Sequence, residues 1–252
     1  MRKLLKGITI LSVGFLFDCG SEESTTSTKE EDNQTISKTE QTKEIKAEAN
    51  IEVSSETYGA WTDSIGSVWV HYSAELVNSG EEAANIGDVQ VNFEGKDESV
   101  LGTDTMLTPN PEIIQAGESA YITTSTILEG TKETDFAKAS LNIDFDSVSE
   151  KSQILTADAV KLVDLSDDEF AMSPYKVTGT IINDSGEKAD DIRIAAGLYD
   201  ADGKLLGVLE GSLDISLNPD GKAGFELSYP ELPKEISSKA SEVKVKVYNW
   251  SF

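Results

Sequence analysis

The scarcest side chains of this chain bound the chemistry it can do. Among 252 residues there is one cysteine, Cys19, and one histidine, His71. A single thiol cannot close a disulfide within the chain, and one thiol with one imidazole cannot supply the several Cys or His ligands of a zinc site. A Ser-His-Asp hydrolase would have to recruit His71, yet no Gly-x-Ser-x-Gly elbow is present to display a serine. Asp200-Ala201-Asp202-Gly203-Lys204 opens like a calcium loop. It lacks the third oxygen ligand before the glycine, and Leu209 stands where the closing bidentate glutamate is required. An Asp-Gly hairpin turn explains the same residues without an ion. The acidic clusters Asp164 to Glu169 and Asp190-Asp191 sit in polar company between apolar runs, where carboxylates are solvated rather than driven apart in pKa. The sequence therefore nominates no catalytic residue, no metal ligand and no cofactor.

The remaining candidates are aromatic. In Val70-His71-Tyr72-Ser73-Ala74-Glu75-Leu76 the alternation puts Val70, Tyr72, Ala74 and Leu76 on one face of a strand, and Trp69 and His71 on the other. Trp61 lies a few residues upstream. If the first set faces a core, Trp61, Trp69 and His71 form an outward face that can hold a sugar ring or a protein partner. The competing reading packs these rings against a neighbouring segment.

These residues must be positioned by strands. Glycine and β-branched residues recur at short intervals, no long amphipathic helical run follows the N-terminus, and the class expected is all-β. Tyr175 to Gly207 alternates, breaks at Asn183-Asp184-Ser185-Gly186, alternates again and turns at Asp202-Gly203. Val70 to Asn78 repeats the phase of Tyr175 to Asn183, and both end on Asn. Val100-Leu101-Gly102 repeats Leu205-Leu206-Gly207. Gln115 to Tyr121 is set against Pro219 to Phe225, and Phe93-Glu94 against Tyr199-Asp200. A repeat held in phase over this distance means two similar sandwich units of about a hundred residues each. The expected organisation is one β-sandwich domain over residues 51–148 and a second over residues 153–252.

The second unit resembles the FxLYD family of extracytoplasmic β-sandwich modules. The resemblance rests on Val177-Thr178-Gly179, Ile182-Asn183, Leu198-Tyr199-Asp200, Asp202-Gly203-Lys204 and Leu217-Asn218-Pro219, with Ala196 in the place of the motif's phenylalanine. It implies two tandem immunoglobulin-like or FxLYD-like sandwiches and an address outside the cell, and it brings no activity with it.

The N-terminus reads as that address. Met1 to Lys6 carries three positive charges, and Gly7 to Phe17 is an apolar run too short to span a bilayer comfortably. The run ends at Leu16-Phe17-Asp18-Cys19-Gly20, which resembles a bacterial lipoprotein signal, with Asp18 where that pattern has a small residue. The resemblance implies a leader over residues 1–18 and a diacylglycerol thioether on Cys19, which anchors the chain to the outer face of the cell membrane. Residues 19–50 are almost entirely Ser, Thr, Glu, Lys and Gln, the composition of a disordered tether with a span of roughly 30 Å.

A net charge of −25 makes nucleic acid an unsuitable partner, because phosphate binding needs clustered Lys and Arg. The expected partners are the membrane, through the lipid, and an extracytoplasmic protein or glycan. The expected function is a non-enzymatic binding or scaffolding lipoprotein. The alternatives are a hydrolase or protease-inhibitor-like protein, or a cation-responsive module. Metabolic labelling with a radioactive fatty acid should mark the wild-type chain and leave Cys19→Ser unmarked; an unmarked wild type would return the leader to a plain secretory signal.

Overall fold

Strand follows strand because the apolar residues recur with period two and polar turns interrupt them. The computed structural model describes residues 48–168 and 173–250, so the leader, Cys19 and most of the expected tether lie outside the described residues. The described chain is all-β. Its strands are β1 (Ile51–Thr62), β2 (Val68–Asn78), β3 (Ala83–Gly95), β4 (Val100–Thr105), β5 (Ile113–Ile114), β6 (Ser119–Ile127), β7 (Phe136–Val148), β8 (Gln153–Asp164), β9 (Tyr175–Ile182), β10 (Ile192–Tyr199), β11 (Leu205–Leu213), β12 (Lys222–Leu227) and β13 (Glu242–Asn249). No helix among the described residues is long and apolar enough to cross a membrane.

The pairing order repeats. In the first half β1-β2-β6 form one sheet, while β3 pairs with β4 and β5 on one side and β7 on the other. In the second half β8-β9-β12 and β11-β10-β13 follow the same order, and β13 pairs with β8 to join them into one curled six-stranded sheet. Each half encloses its own apolar cluster. Val70, Tyr72, Ala74 and Leu76 meet Val89, Val91, Phe93 and Ile122 in the first, and Val177 and Ile181 meet Ile194, Ala196, Leu198 and Phe225 in the second.

The two asparagines that end the matched sequence runs do the same work in both halves. Asn78 and Asn183 are fully buried. The Asn78 side-chain amide donates to the carbonyls of Glu82 at 2.7 Å and Ile114 at 2.9 Å. The Asn183 amide donates to the carbonyls of Glu187 at 2.7 Å and Leu217 at 2.8 Å. Each satisfies a polar break that would otherwise leave buried carbonyls unpaired.

The sequence match is off by one residue in two places. Gly102 pairs with Phe93 and Gly207 with Leu198, with an irregularity directly after each partner, so Phe93 corresponds to Leu198 and Glu94 to Tyr199. Likewise Gly117 and Asp220 donate to the carbonyls of Asn78 and Asn183, and both hold positive φ, at 78° and 62°. That makes Ile122, not Tyr121, the counterpart of Phe225. Both corrections move a tyrosine, Tyr121 and Tyr199, to the outer face of its sheet.

Those outer faces are not solvated. Tyr121, Ala195, Tyr199, Leu205 and Val208 form a third buried cluster, built from both halves. β2 and β10 are consequently buried on both sides, where the alternation predicts strands buried on one. The packing is close because the outer face of β10 is small: a Cβ placed on Gly197 would lie 2.7 Å from the Tyr121 ring.

Replacing Asn183 by Ala should lower stability by about 2–4 kcal/mol, since two carbonyls lose their donor inside the protein. Asn78→Ala should do the same, and urea unfolding of each variant against wild type measures it.

Candidate functional site

The aromatic residues singled out in the sequence come together on one face of the β1-β2-β6 sheet. Trp61 and Trp69 are register partners across β1 and β2, and Gly59 lies opposite His71. In antiparallel strands such partners project to the same side, close enough for their rings to touch. The two indoles stack with centroids 6.0 Å apart and planes 15° apart, and the His71 ring lies 5.9 Å from that of Trp61. Gly59 leaves room for the imidazole, because a Cβ there would stand 3.3 Å from Nε2. The Trp69 indole N–H donates to Asp63 Oδ2 at 3.0 Å, and this hydrogen bond leads the effects that hold the Asp63 carboxyl below its ordinary pKa.

The face is outward-directed, as the alternation requires, but the expectation that it is exposed needs correcting. His71 is 3% exposed, while Trp61 and Trp69 are half-buried. The reason lies in the neighbouring strand: β11 packs across this side of β2, next to Ser73, two residues on from His71. Burial pushes the His71 pKa down to about 4, and its Nδ1 has no hydrogen-bond partner. At neutral pH His71 is an uncharged, enclosed ring, a poor general acid or base.

What remains accessible is a cleft of about 550 Å³ beside Trp61. Trp61 and Asp63 line it from the first half, and Tyr175, Leu209, Pro230 and Leu232 from the second. Its lining mixes these apolar and aromatic groups with a larger number of polar ones, among them Asp63, Glu231, Lys234 and Glu235, and its volume falls within the usual ligand-site range of roughly 300–1,000 Å³.

The other sequence candidates are absorbed by local structure. Asp200 Oδ1 accepts from the backbone N–H groups of Asp202 and Lys204, each at 2.9 Å, so the calcium-like segment is a capped hairpin turn. Asp190 accepts from the Ser216 hydroxyl and pairs with Lys188 at 3.0 Å; the two partners, Ser216 first, hold its carboxyl below the ordinary range. Asp191 pairs with Arg193 at 3.0 Å. Asp164 caps the N–H of Ser166. Among the described residues no group of three or more His, Cys, Asp or Glu side chains is arranged to hold a metal ion. Cys19 lies outside the described residues.

A second cleft went unread in the sequence. It lies between Asn110 and Met106 on one side and Arg193, Glu210, Tyr229 and Trp250 on the other. Its one sequence signal was a charged residue, Glu210, inside the apolar run Val208-Leu209-Glu210-Gly211.

No family model matches this chain, and no curated protein matches it.

The buried histidine has a measurable consequence. In the unfolded chain an imidazole takes up a proton near pH 6.5, and in the folded chain only near 4, so between these values the unfolded state binds the extra proton. The contribution of His71 to stability is therefore complete above pH 6.5 and lost as pH falls toward 4, by about 3 kcal/mol. His71→Phe should remove that loss, so the difference in urea stability between variant and wild type should change by about 3 kcal/mol across that window. The only imidazole signal in the NMR spectrum of wild type should titrate near pH 4; a midpoint near 6.5 would mean that the ring is solvated.

Proposed function

We propose that this chain is a non-enzymatic binding module of a bacterial cell envelope. In this reading the leader is removed before Cys19, a lipid on that cysteine holds the chain to the outer face of the membrane, and residues 19–50 tether the β-structure clear of the lipid heads. The β-structure is a tandem of FxLYD-like sandwiches over residues 51–148 and 153–252. Its partner is an extracytoplasmic protein or glycan.

One observation carries the reading: Trp61, held in place by its stack on Trp69, lines a cleft built from both halves. Stacked indoles give a large, rigid contact area at little entropic cost, which suits recognition of an apolar ring face or an aromatic anchor. A hydrolase reading would need an accessible base, and the enclosed neutral His71 does not supply one. The resemblance to envelope modules and the cysteine at the end of the leader add the address.

Crosslinking of the anchored protein in living cells, with a photoreactive residue at position 62, tests the reading. A defined partner should be captured by wild type and lost in Trp61→Ala. Capture of the same partner by Trp61→Ala would remove the site from the aromatic wall, and absence of any specific capture would overturn the binding role.

A further inference from the structure

The second cleft, distinct from the Trp61 wall, has a volume of about 350 Å³ and is built from both halves. Glu210 on β11 lies in its lining. The Glu210 backbone is held by a bridge to Tyr229, but its carboxyl makes no hydrogen bond or ion pair with any described side chain. Burial pushes that carboxyl up to about 7, against the pull of Arg193. The cleft's own cation is partly engaged: the Arg193 guanidinium pairs with Asp191 at 3.0 Å and lies 4.3 Å over the Trp250 ring, while its Nε has no hydrogen-bond partner.

A second acceptor lies in the same wall. Asn110 is 5% exposed, its backbone is bonded to Tyr121, and its side-chain Oδ1 has no hydrogen-bond partner. The rim is apolar and open to solvent. Met106 is 93% exposed and held at a φ of 60°, and Tyr229 is 59% exposed. A long apolar side chain held in the left-handed region and turned to water is costly unless something covers it. The surroundings are negative: Glu112 and Asp191 act on Tyr248, and Asp104 acts with Glu210 on Tyr229, while Arg193 is the cation among them. The lining itself carries one charge of each sign, Glu210 and Arg193, and with Glu112, Asp191 and Asp104 around it the carboxylates outnumber that single cation, a balance that favours a positively charged ligand.

We propose that this cleft is a binding site for a primary ammonium carried on an aliphatic stem, with Glu210 and Asn110 accepting from the ammonium and Met106 and Tyr229 covering the stem. An ammonium has three donors and no acceptor, which matches one unpartnered amide oxygen and a carboxylate. Its stem is the kind of apolar chain that lies along a Met and a tyrosine ring while the charged end reaches inward. The group can be the side chain of a lysine in a peptide or a free aliphatic diamine, which share this chemistry.

The test is titration of the full chain, with methionine methyl groups isotopically labelled, against 1,5-diaminopentane, Nα-acetyl-lysine amide and, as the neutral control, N-butylacetamide. Both amines should shift the Met106 methyl resonance saturably, and the neutral amide should not. The tighter of the two amines identifies a free or a peptide-borne source. Glu210→Gln should weaken amine binding at least about tenfold, the scale of one hydrogen bond to a charged group. Asp202→Asn, which removes the same charge from an exposed turn, should leave it unchanged. Wild type itself should bind more tightly at pH 8 than at pH 5.5, because Glu210 must be ionised, and this arm needs no variant. Equal shifts from amine and neutral amide, binding unaltered in Glu210→Gln, or affinity independent of pH would each overturn the proposal.

Discussion

An unpaired strand edge, closed by two hydroxyl groups, governs how this molecule is put together. β11 ends the six-stranded sheet, and at Val208 its backbone faces the first half rather than another strand. The Val208 N–H donates to Ser73 Oγ at 3.2 Å, Ser73 and Thr123 share a hydrogen bond at 2.9 Å, and the Thr123 hydroxyl donates to the Val208 carbonyl at 3.1 Å. Taken in that sense each hydroxyl donates once and accepts once, and the edge residue has both its groups satisfied. An edge left open would invite pairing with another chain, and an edge buried without partners would cost several kcal/mol. Closing it with hydroxyls allows the outer faces of two sheets to meet without a continuous ladder. Beside it Tyr121 hydrogen-bonds to Tyr199 at 2.8 Å, and Tyr199 donates to Glu75 at 2.9 Å, so the two displaced tyrosines are joined to each other.

That junction sets two titrations against one another. His71 is driven neutral by burial under it, and stability tied to His71 is lost as pH falls from 6.5 toward 4. Glu210, at the other side of β11, is held protonated up to about 7, above its ordinary value of 4.5. Between those values the folded state binds the extra proton at Glu210, so this contribution is present at low pH and declines as pH rises. The slopes oppose each other over the same interval. A single pH profile of the intact protein conceals both, and removing either group exposes the other.

The strands and the inner faces were legible in the sequence because alternation reports burial on one side of a strand. Val70, Tyr72, Ala74 and Leu76 in one half, and Val177 and Ile181 in the other, lie in the cores that their phase assigns them. The paired asparagines were legible as matched strand ends. What alternation cannot report is burial of the second face, because the residues that permit it, Ser73, Ala195 and Gly197, are as common on solvated strands as on packed ones. The aromatic wall was found by that same phase, and its enclosure was missed for the same reason. The one-residue offset at Phe93 lies beside an irregularity in pairing, and that at Tyr121 lies in the turn before β6, where Gly117 rather than Ala116 takes the place of Asp220; neither leaves a mark in composition.

The geometry of the junction constrains what either cleft can do. Each is lined from both halves: Trp61 and Asp63 face Tyr175 and Leu209 in one, and Asn110 and Met106 face Glu210 and Trp250 in the other. A ligand in either cleft therefore recognises only the docked arrangement of the sheets and stabilises it by mass action, by about 2.7 kcal/mol at a hundredfold excess over Kd. The two clefts flank one strand, with Leu209 in the lining of the first and Glu210, its chain neighbour, in the lining of the second. Successive residues of a strand point to opposite sides, so β11 presents one to each cleft. Any shift of β11 against β2 would reshape both clefts together, and the hydroxyl-closed edge at Val208 is what holds that strand in place.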